Sequence, residues 1–286
     1  MISILNLEPD GFSKIATSIL NSFAKIDYGP MSRSKLLKNI YKYDALIVRL
    51  DHYIDGQIIK NSKKLKVISS ATTGLNHIDL NLLEKKKIKV ISLKGETEFL
   101  QSIHATAEHT WALLLSLVRK IPQARNSVLN DNWKRDNFKG HELHGSTLGI
   151  VGFGRIGKKV ANYALGFGMK VLVFTEPIEK TELDIKFVDS LEKLISQCNV
   201  ISIHLPYNSR THQMFGKREF SLFKNGSYLI NTSRGEILEE NELINALIDG
   251  KLLGAAIDVI NNEKSINLTN NNRIISFAKR NSSLLI

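Results

Sequence analysis

The chain has 286 residues, 43% of them hydrophobic and 23% charged, which is enough for two domains with real cores and excludes a disordered chain. Its formal net charge of +11 invites a nucleic-acid reading, but residues 1–101 carry +6 and the remainder +5, so the excess is diffuse. The lysine runs at Lys63-Lys64 and Lys85-Lys86-Lys87 have no interleaved aromatics to stack on bases, and they read as solvated surface. The longest apolar stretch, around 112–118, is far below the roughly 20 residues a membrane helix needs. The amino terminus lacks the basic start and apolar run of a secretion signal. A single cysteine, Cys198, excludes an internal disulfide and any cysteine-clustered zinc site. The expectation is a cytoplasmic protein with neither nucleic-acid nor membrane partners.

In chain order, β-branched runs alternate with segments of helical period, the pattern of a parallel α/β fold. Strands are expected at 2–7, 45–48, 67–70 and 89–92, with helices at 11–23, 34–41 and 80–86. Segment 94–101 is polar, contains Gly95 and reads as a linker. A strong helix follows over 105–119, with Ala107, Trp111, Leu114, Leu115 and Val118 on one face and Pro122 just beyond. Its apolar surface fits an inter-domain or dimer-packing helix. A second alternating block opens at Thr147. The expected division is therefore 1–100 and 101–286.

Gly152-Phe153-Gly154-Arg155-Ile156-Gly157 satisfies G-x-G-x-x-G. It follows the apolar strand 147–151 and opens a helix carrying Ile156, Val160, Tyr163, Ala164 and Phe167 on one face. In such a motif the first glycine permits a tight turn, the second lets backbone approach a pyrophosphate, and the third lets helix and strand pack closely. Free N–H groups at the helix start then receive the negative charge. The next strand, 170–174, should end in an acid for the adenosine ribose; the sequence there reads Thr175-Glu176-Pro177. Thr175 holds the expected position, 18 residues after Gly157, and Glu176 follows. Glu176 would repel a 2′-phosphate and no arginine follows to welcome one, so NAD is expected over NADP.

His104, Glu108 and His109 superficially suggest a metal helix, but the spacing matches neither H-E-x-x-H nor H-x-x-E-H, and no metal is expected. Cys198 precedes a strand and reads as a small buried residue rather than a nucleophile.

Several further segments extend the pattern. Ala105-Thr106-Ala107-Glu108-His109, Thr147 to Gly157, His204-Leu205-Pro206, Asn231-Thr232-Ser233-Arg234-Gly235 and Gly254-Ala255-Ala256-Ile257-Asp258-Val259 occur in an order and spacing that resemble the D-isomer-specific 2-hydroxyacid dehydrogenases, of the phosphoglycerate dehydrogenase-like type. The segment 70–79 resembles that family's glycine-bearing substrate loop. The resemblance implies a flavodoxin-like substrate domain plus a Rossmann-type NAD-binding domain, both doubly wound parallel α/β, and hydride transfer between NAD(H) and C2 of a 2-hydroxy or 2-keto acid.

It also implies residue roles. Arg234 would bind the substrate carboxylate and polarise the carbonyl, a task suited to a guanidinium fork. Glu263, 29 residues on, falls at the position of the acid that pairs with a catalytic histidine, although Lys264 and Ser265 replace the family's proline-containing continuation. Asp258 resembles the residue that bonds the nicotinamide carboxamide. Thr106, Thr232, Ser233 and the backbone around His204 and Pro206 would line the cofactor with the glycine motif. Backbone N–H groups of Thr73 and Gly74 would hold the substrate carboxylate. Arg49 is either a second anchor or a structural salt-bridge partner. The family histidine is expected about three residues beyond Ile286 by motif register, together with a closing helix. Two readings remain open, a dehydrogenase whose chain is incomplete and a non-catalytic NAD-binding regulatory protein of the same fold. A homodimer is expected by resemblance.

Overall fold

Residues 1–178, 180–263 and 272–286 are described by a computed structural model. They fall into two units, Met1–Ser102 and Ile103–Ile286. Both are built mainly from the same physical unit, a short strand whose parallel neighbour is reached through a helix.

The first unit runs β1 (Ile2–Asn6), α1 (Lys14–Asn21), β2 (Ala24–Tyr28), α2 (Arg33–Asn39), β3 (Ala45–Val48), α3 (Gly56–Asn61), β4 (Val67–Ser70), α4 (Leu80–Lys85), β5 (Lys89–Ser92) and α5 (Thr97–Gln101). The strands pair in parallel in the order β2-β1-β3-β4-β5, the flavodoxin-like order. Side-chain caps fix the helix starts: Ser13, Ser32, Asp55 and Asp79 each accept from one or two N–H groups of the first turn. Leu5, Leu46, Val48 and Ile68 from the sheet meet Leu36, Ile40, Ile58 and Leu83 in one core.

Two expectations change here. Segment 94–101 is not a bare linker, because Thr97–Gln101 forms α5 and Leu100 is buried. The helix expected over 11–23 starts only at Lys14, behind its Ser13 cap. Directly after it, Ala24–Tyr28 forms an unanticipated edge strand.

The second unit opens with α6 (Ala105–Val118) and α7 (Ile121–Leu129). Helix α6 ends at Val118 ahead of Pro122, as expected, and Pro122 sits in the first turn of α7, where its missing N–H costs nothing. Then follow β6 (Thr147–Val151), α8 (Arg155–Gly166), β7 (Lys170–Phe174), β8 (Lys186–Phe187), α9 (Leu191–Gln197) and β9 (Val200–Ile203). The unit continues through α10 (Lys217–Leu222), β10 (Ser227–Asn231), α11 (Glu240–Ile248), β11 (Leu252–Ile257), α12 (Arg273–Arg280) and β12 (Leu284–Leu285). Its seven-stranded sheet is parallel, in the order β12-β11-β10-β9-β6-β7-β8.

Both faces of this sheet are covered, so its central strands are continuously apolar. On one face, Leu148, Ile150, Val173 and Ile230 pack under α6 and α8. On the other, Val151, Ile201, Leu229 and Ala255 pack under α9, α10, α11 and α12. Helix α6 lies against α8 and the sheet of its own unit: the Trp111 indole stacks on Phe167 at 4.5 Å and donates to the Val160 carbonyl at 3.3 Å. That packing buries Ala107, Trp111, Leu114, Leu117 and Val118 of α6. Cys198 is fully buried beneath Gly149, where burial pushes its thiol up to about 12. Among the described residues no helix is long and apolar enough to cross a membrane.

Candidate functional site

The strand order of the second unit reverses between β6 and β9, and the crevice beyond the carboxyl ends of such strands is where α/β sheets bind ligands. Here the two ends converge closely. The His204 N–H donates to the Val151 carbonyl at 2.8 Å, and the Gly152 N–H donates to Phe174 at the end of β7 at 2.9 Å. Gly152 has φ +94°, and a Cβ there would lie 2.6 Å from the His204 carbonyl oxygen. The turn thus requires glycine twice over, for its conformation and for the passing backbone.

The other two glycines separate in the same terms. A Cβ on Gly157 would lie 2.2 Å from the Gly152 carbonyl oxygen and 3.3 Å from Ile150, so this glycine lets α8 sit close on β6. A Cβ on Gly154 would meet nothing within 4 Å. Gly154 is exposed and is the N-cap of α8 without a side-chain cap, while Arg155 and Ile156 form the first turn. Open space over a glycine at an uncapped helix start is what a pyrophosphate needs, and the residues present fit a dinucleotide.

The flanking positions are built from backbone and neutral groups. The Thr175 hydroxyl at the end of β7 accepts from the Phe153 N–H at 3.3 Å, tying that strand to the glycine loop, and Glu176 beside it is exposed. One Arg155 contact runs to the Ile103 carbonyl at 3.3 Å. The Pro206 carbonyl accepts from Thr211 at 2.7 Å. His204 bonds Ser202 at 2.8 Å, and burial pushes its imidazole down to about 3. It is therefore neutral at working pH and unsuited to carry a proton.

Beyond β10, the fully buried Asn231 shapes the Thr232-Ser233-Arg234 turn. Its Oδ1 accepts from the Ser233 N–H and hydroxyl at 3.0 and 2.6 Å, and its Nδ2 donates to the Arg234 carbonyl at 2.9 Å. Arg234 is half-buried and its guanidinium donates to the Ser233 carbonyl at 2.6 Å. Gly235 is pressed on the Ile260–Asn261 peptide so closely that a Cβ would lie 2.1 Å from the Ile260 carbonyl carbon. The Asn261 N–H donates to Glu240 at 2.6 Å, and the Ile260 N–H donates to Glu263 at 3.1 Å.

The loop that carries Glu263 is thus gripped beside Arg234, with no direct bond between the two side chains among the described contacts. Lys264 and Ser265 lie outside the described residues. The histidines that bond a side chain do so with Ser70, Tyr163, Lys159, Asp258, Tyr228, Ser202 and Tyr207 rather than with Glu263.

Helix α6 reaches the same edge. His109 Nε2 lies 3.1 Å from Asp258 Oδ1, and Thr110 Oγ1 lies 2.9 Å from Thr232 Oγ1. Thr106, one turn earlier, accepts the Thr110 hydroxyl proton on its carbonyl at 2.8 Å. His104 turns instead to Tyr163 at 2.7 Å, so the histidines of the H-x-x-x-E-H run go to different partners. Sequence reasoning missed Asn231, His109 and Thr110 as builders of this edge.

In the first unit the strand order reverses between β1 and β3. The Glu8 carboxylate accepts the Arg49 and Leu50 N–H groups, each at 2.9 Å. Arg49 is exposed, its guanidinium reaching the Asp10 carbonyl at 3.5 Å, and it forms no ion pair among the described contacts. Thr73 and Gly74 follow β4. The loop is braced by Ser70 to Thr72 at 2.8 Å, by Ser70 to the buried His77 at 3.2 Å, and by Thr72 to the Gly74 carbonyl at 2.9 Å.

Gly157→Ala should lower the melting temperature by about 5 °C or more, since overpacking costs ~1–3 kcal/mol. Gly154→Val should leave melting nearly unchanged but weaken NADH binding about tenfold or more, as read by fluorescence titration. His204 gives a pH dependence. Its folded pKa lies below its unfolded value of 6.5, so its contribution to stability is complete above 6.5 and is lost as pH falls toward about 3. His204→Asn should therefore show a smaller drop in melting temperature between pH 7.5 and pH 4.5 than the unaltered protein.

Comparison with known proteins meets this geometry. Residues 111–280 match the NAD binding domain of the D-isomer specific 2-hydroxyacid dehydrogenases. The chain is 36% identical over 236 residues to a D-3-phosphoglycerate dehydrogenase of Archaeoglobus fulgidus, an alignment covering 82% of this chain and 44% of that protein. The chain thus spans less than half the length of that relative. It is also 36% identical over 245 residues to a glyoxylate reductase of Thermococcus litoralis, covering 82% of this chain and 72% of the relative. The crystal structure of a D-lactate dehydrogenase from Aquifex aeolicus complexed with NAD and lactic acid superposes with a TM-score of 0.85 at 30% identity, covering 99% of this chain and 87% of that one. Its parallel sheets, its three differently constrained glycines and these alignments together place the chain in the D-isomer specific 2-hydroxyacid dehydrogenase family.

Proposed function

We propose that the protein is an NAD-dependent oxidoreductase that moves a hydride between the nicotinamide and C2 of a 2-hydroxy or 2-keto acid. The observation that carries this reading is the open space over Gly154 at the uncapped start of α8, beside the Gly152–His204 junction, with Arg234 beyond the end of β10 in the same sheet. Bound there, NAD would accept or supply the hydride. The chain's own residues bind and orient the cofactor and the substrate.

Residues 101–286 serve as the NAD-binding domain. Gly152, Gly154, Arg155, Ile156 and Gly157 form the pyrophosphate turn, with Thr175 and Glu176 toward the ribose and Thr106, Thr232, Ser233, His204, Pro206 and Asp258 along the cofactor. The exposed carboxylate of Glu176 disfavours a 2′-phosphate and selects NAD. Arg234 offers a planar fork to the substrate carboxylate and polarises its neighbouring carbonyl. Glu263, held by the Ile260 N–H, is the acid that would orient and charge a proton-carrying imidazole. Residues 1–100 serve as the substrate domain, where the N–H groups of Thr73 and Gly74 receive the carboxylate and Arg49 is a second anchor. The relatives' names span several small acids, so a panel of 2-keto acids is the appropriate screen.

Arg234→Gln should weaken binding of oxamate, an unreactive 2-keto-acid mimic, at least tenfold in the presence of NADH, while NADH affinity stays within twofold. Unchanged oxamate affinity would remove Arg234 from the site. NADH binding without any oxamate binding to the unaltered protein would favour the cofactor-as-ligand reading over the dehydrogenase.

The protein acts in the cytoplasm as a homodimer in this reading. Helix α7 has no buried residue, and Ile121, Val128, Leu129 and Trp133 expose their apolar surface along it and just beyond. The unaltered protein should sediment as two chains and the double variant Val128→Glu, Leu129→Glu as one. Dimers that persist in the variant would place the contact elsewhere.

A further inference from the structure

His109 and Thr110 are consecutive residues on α6, and each reaches the carboxyl end of a different sheet strand. The Thr110 hydroxyl lies 2.9 Å from that of Thr232, just past β10, and the His109 ring lies 3.1 Å from Asp258, just past β11. Those two targets stand side by side. Asn231 and Ile257 are register partners in the parallel pair β10–β11, and the Asp258 N–H donates to the Asn231 carbonyl at 3.0 Å. Thr232 and Asp258 therefore sit about one strand spacing apart, roughly 5 Å.

Donor and acceptor bookkeeping then fixes what this pair presents. The Thr110 hydroxyl proton goes to the Thr106 carbonyl at 2.8 Å, so the bond between the two threonines must use the proton of Thr232. Thr232 keeps only lone pairs to offer. A carboxylate accepts only, so His109 donates from Nε2 and secures one oxygen of Asp258. Two neighbouring acceptors with their own donors already spent form a receptor for a group with two N–H bonds.

We propose that His109 and Thr110 are positioning residues that set Asp258 and Thr232 as paired acceptors for the primary amide of the nicotinamide. The inference rests on the reading of this edge as the cofactor site. Folding does not explain the His109 contact. Both side chains are about half exposed, at 48% and 50%, and pairs so placed contribute little to stability. Their value is orientational: a carboxylate fixed in one rotamer meets an amide without first losing its own freedom. The adjacency matters as well, because rotation or slippage of α6 would disturb both acceptors together.

The experiment compares two probes on the full chain by calorimetric or fluorescence titration. NADH carries the amide, and ADP-ribose shares the pyrophosphate and both riboses but lacks the nicotinamide. His109→Ala and Thr110→Val should each weaken NADH binding by roughly five- to twentyfold. ADP-ribose affinity should stay within twofold. His109→Gln, which keeps a side-chain N–H, and Thr110→Ser, which keeps the hydroxyl, should recover NADH affinity to within about threefold of the unaltered protein.

Equal losses for both probes, or NADH affinity unchanged in His109→Ala and Thr110→Val while Asp258→Asn lowers it, would overturn the assignment. If the unaltered protein bound neither probe, the cofactor reading itself would fall and the assignment with it. Binding of both probes with insensitivity confined to α6 would leave that reading standing.

Discussion

The site depends on one close approach, between the carbonyl of His204 and the bare α-carbon of Gly152. At this point the strand order reverses, and the carboxyl ends of the paired strands β6 and β9 lie against each other. Any side chain on residue 152 would drive them apart, since its Cβ would stand 2.6 Å from that oxygen. The turn in turn supports Gly157, whose α-carbon lies against the Gly152 carbonyl and sets the depth of α8. The unfilled first turn of that helix, with Gly154 open above it, is the remaining element of the cradle. Its binding property is therefore a by-product of backbone packing on either side.

The same economy operates at the other end of the sheet. Asn231 commits its amide oxygen and an amide N–H to the turn that displays Arg234, and Gly235 gives up a side chain so that the Ile260–Asn261 peptide can come alongside. Glu240 reaches from α11 to hold that peptide, and burial together with the nearby Glu236 raises the proton affinity of its carboxyl. Arginine and Glu263 are placed by their neighbours' backbones more than by any attraction between themselves.

Much of this was legible in the residues. Strands 45–48, 67–70 and 89–92 match the structure residue for residue because β-branched runs bounded by polar turns have few alternatives. The glycine motif was legible because it stands between an apolar strand and a helix of clear period. Edge and end elements were harder. Ala24–Tyr28 alternates weakly and follows a helix without a strong breaker, and Pro122 marks a helix start as readily as a stop. The contacts of His109 and Thr110 had no local signal, because their partners stand 149 and 122 residues away in the chain. Spacing along one helix can suggest a metal face, whereas only the tertiary fold shows that His104 and His109 look toward different elements.

Gly149, in the middle of β6, has a further consequence. Its missing side chain leaves room for the Cys198 sulfur, which would stand 2.7 Å from a Cβ at that position. The chain's one thiol is thus sealed beneath the sheet and kept protonated. Nature has left the surface of this protein as a blank background for sulfhydryl chemistry. A cysteine placed on either unit would be the sole reactive handle, and a spin label or fluorophore attached there would report one location without first removing a native residue.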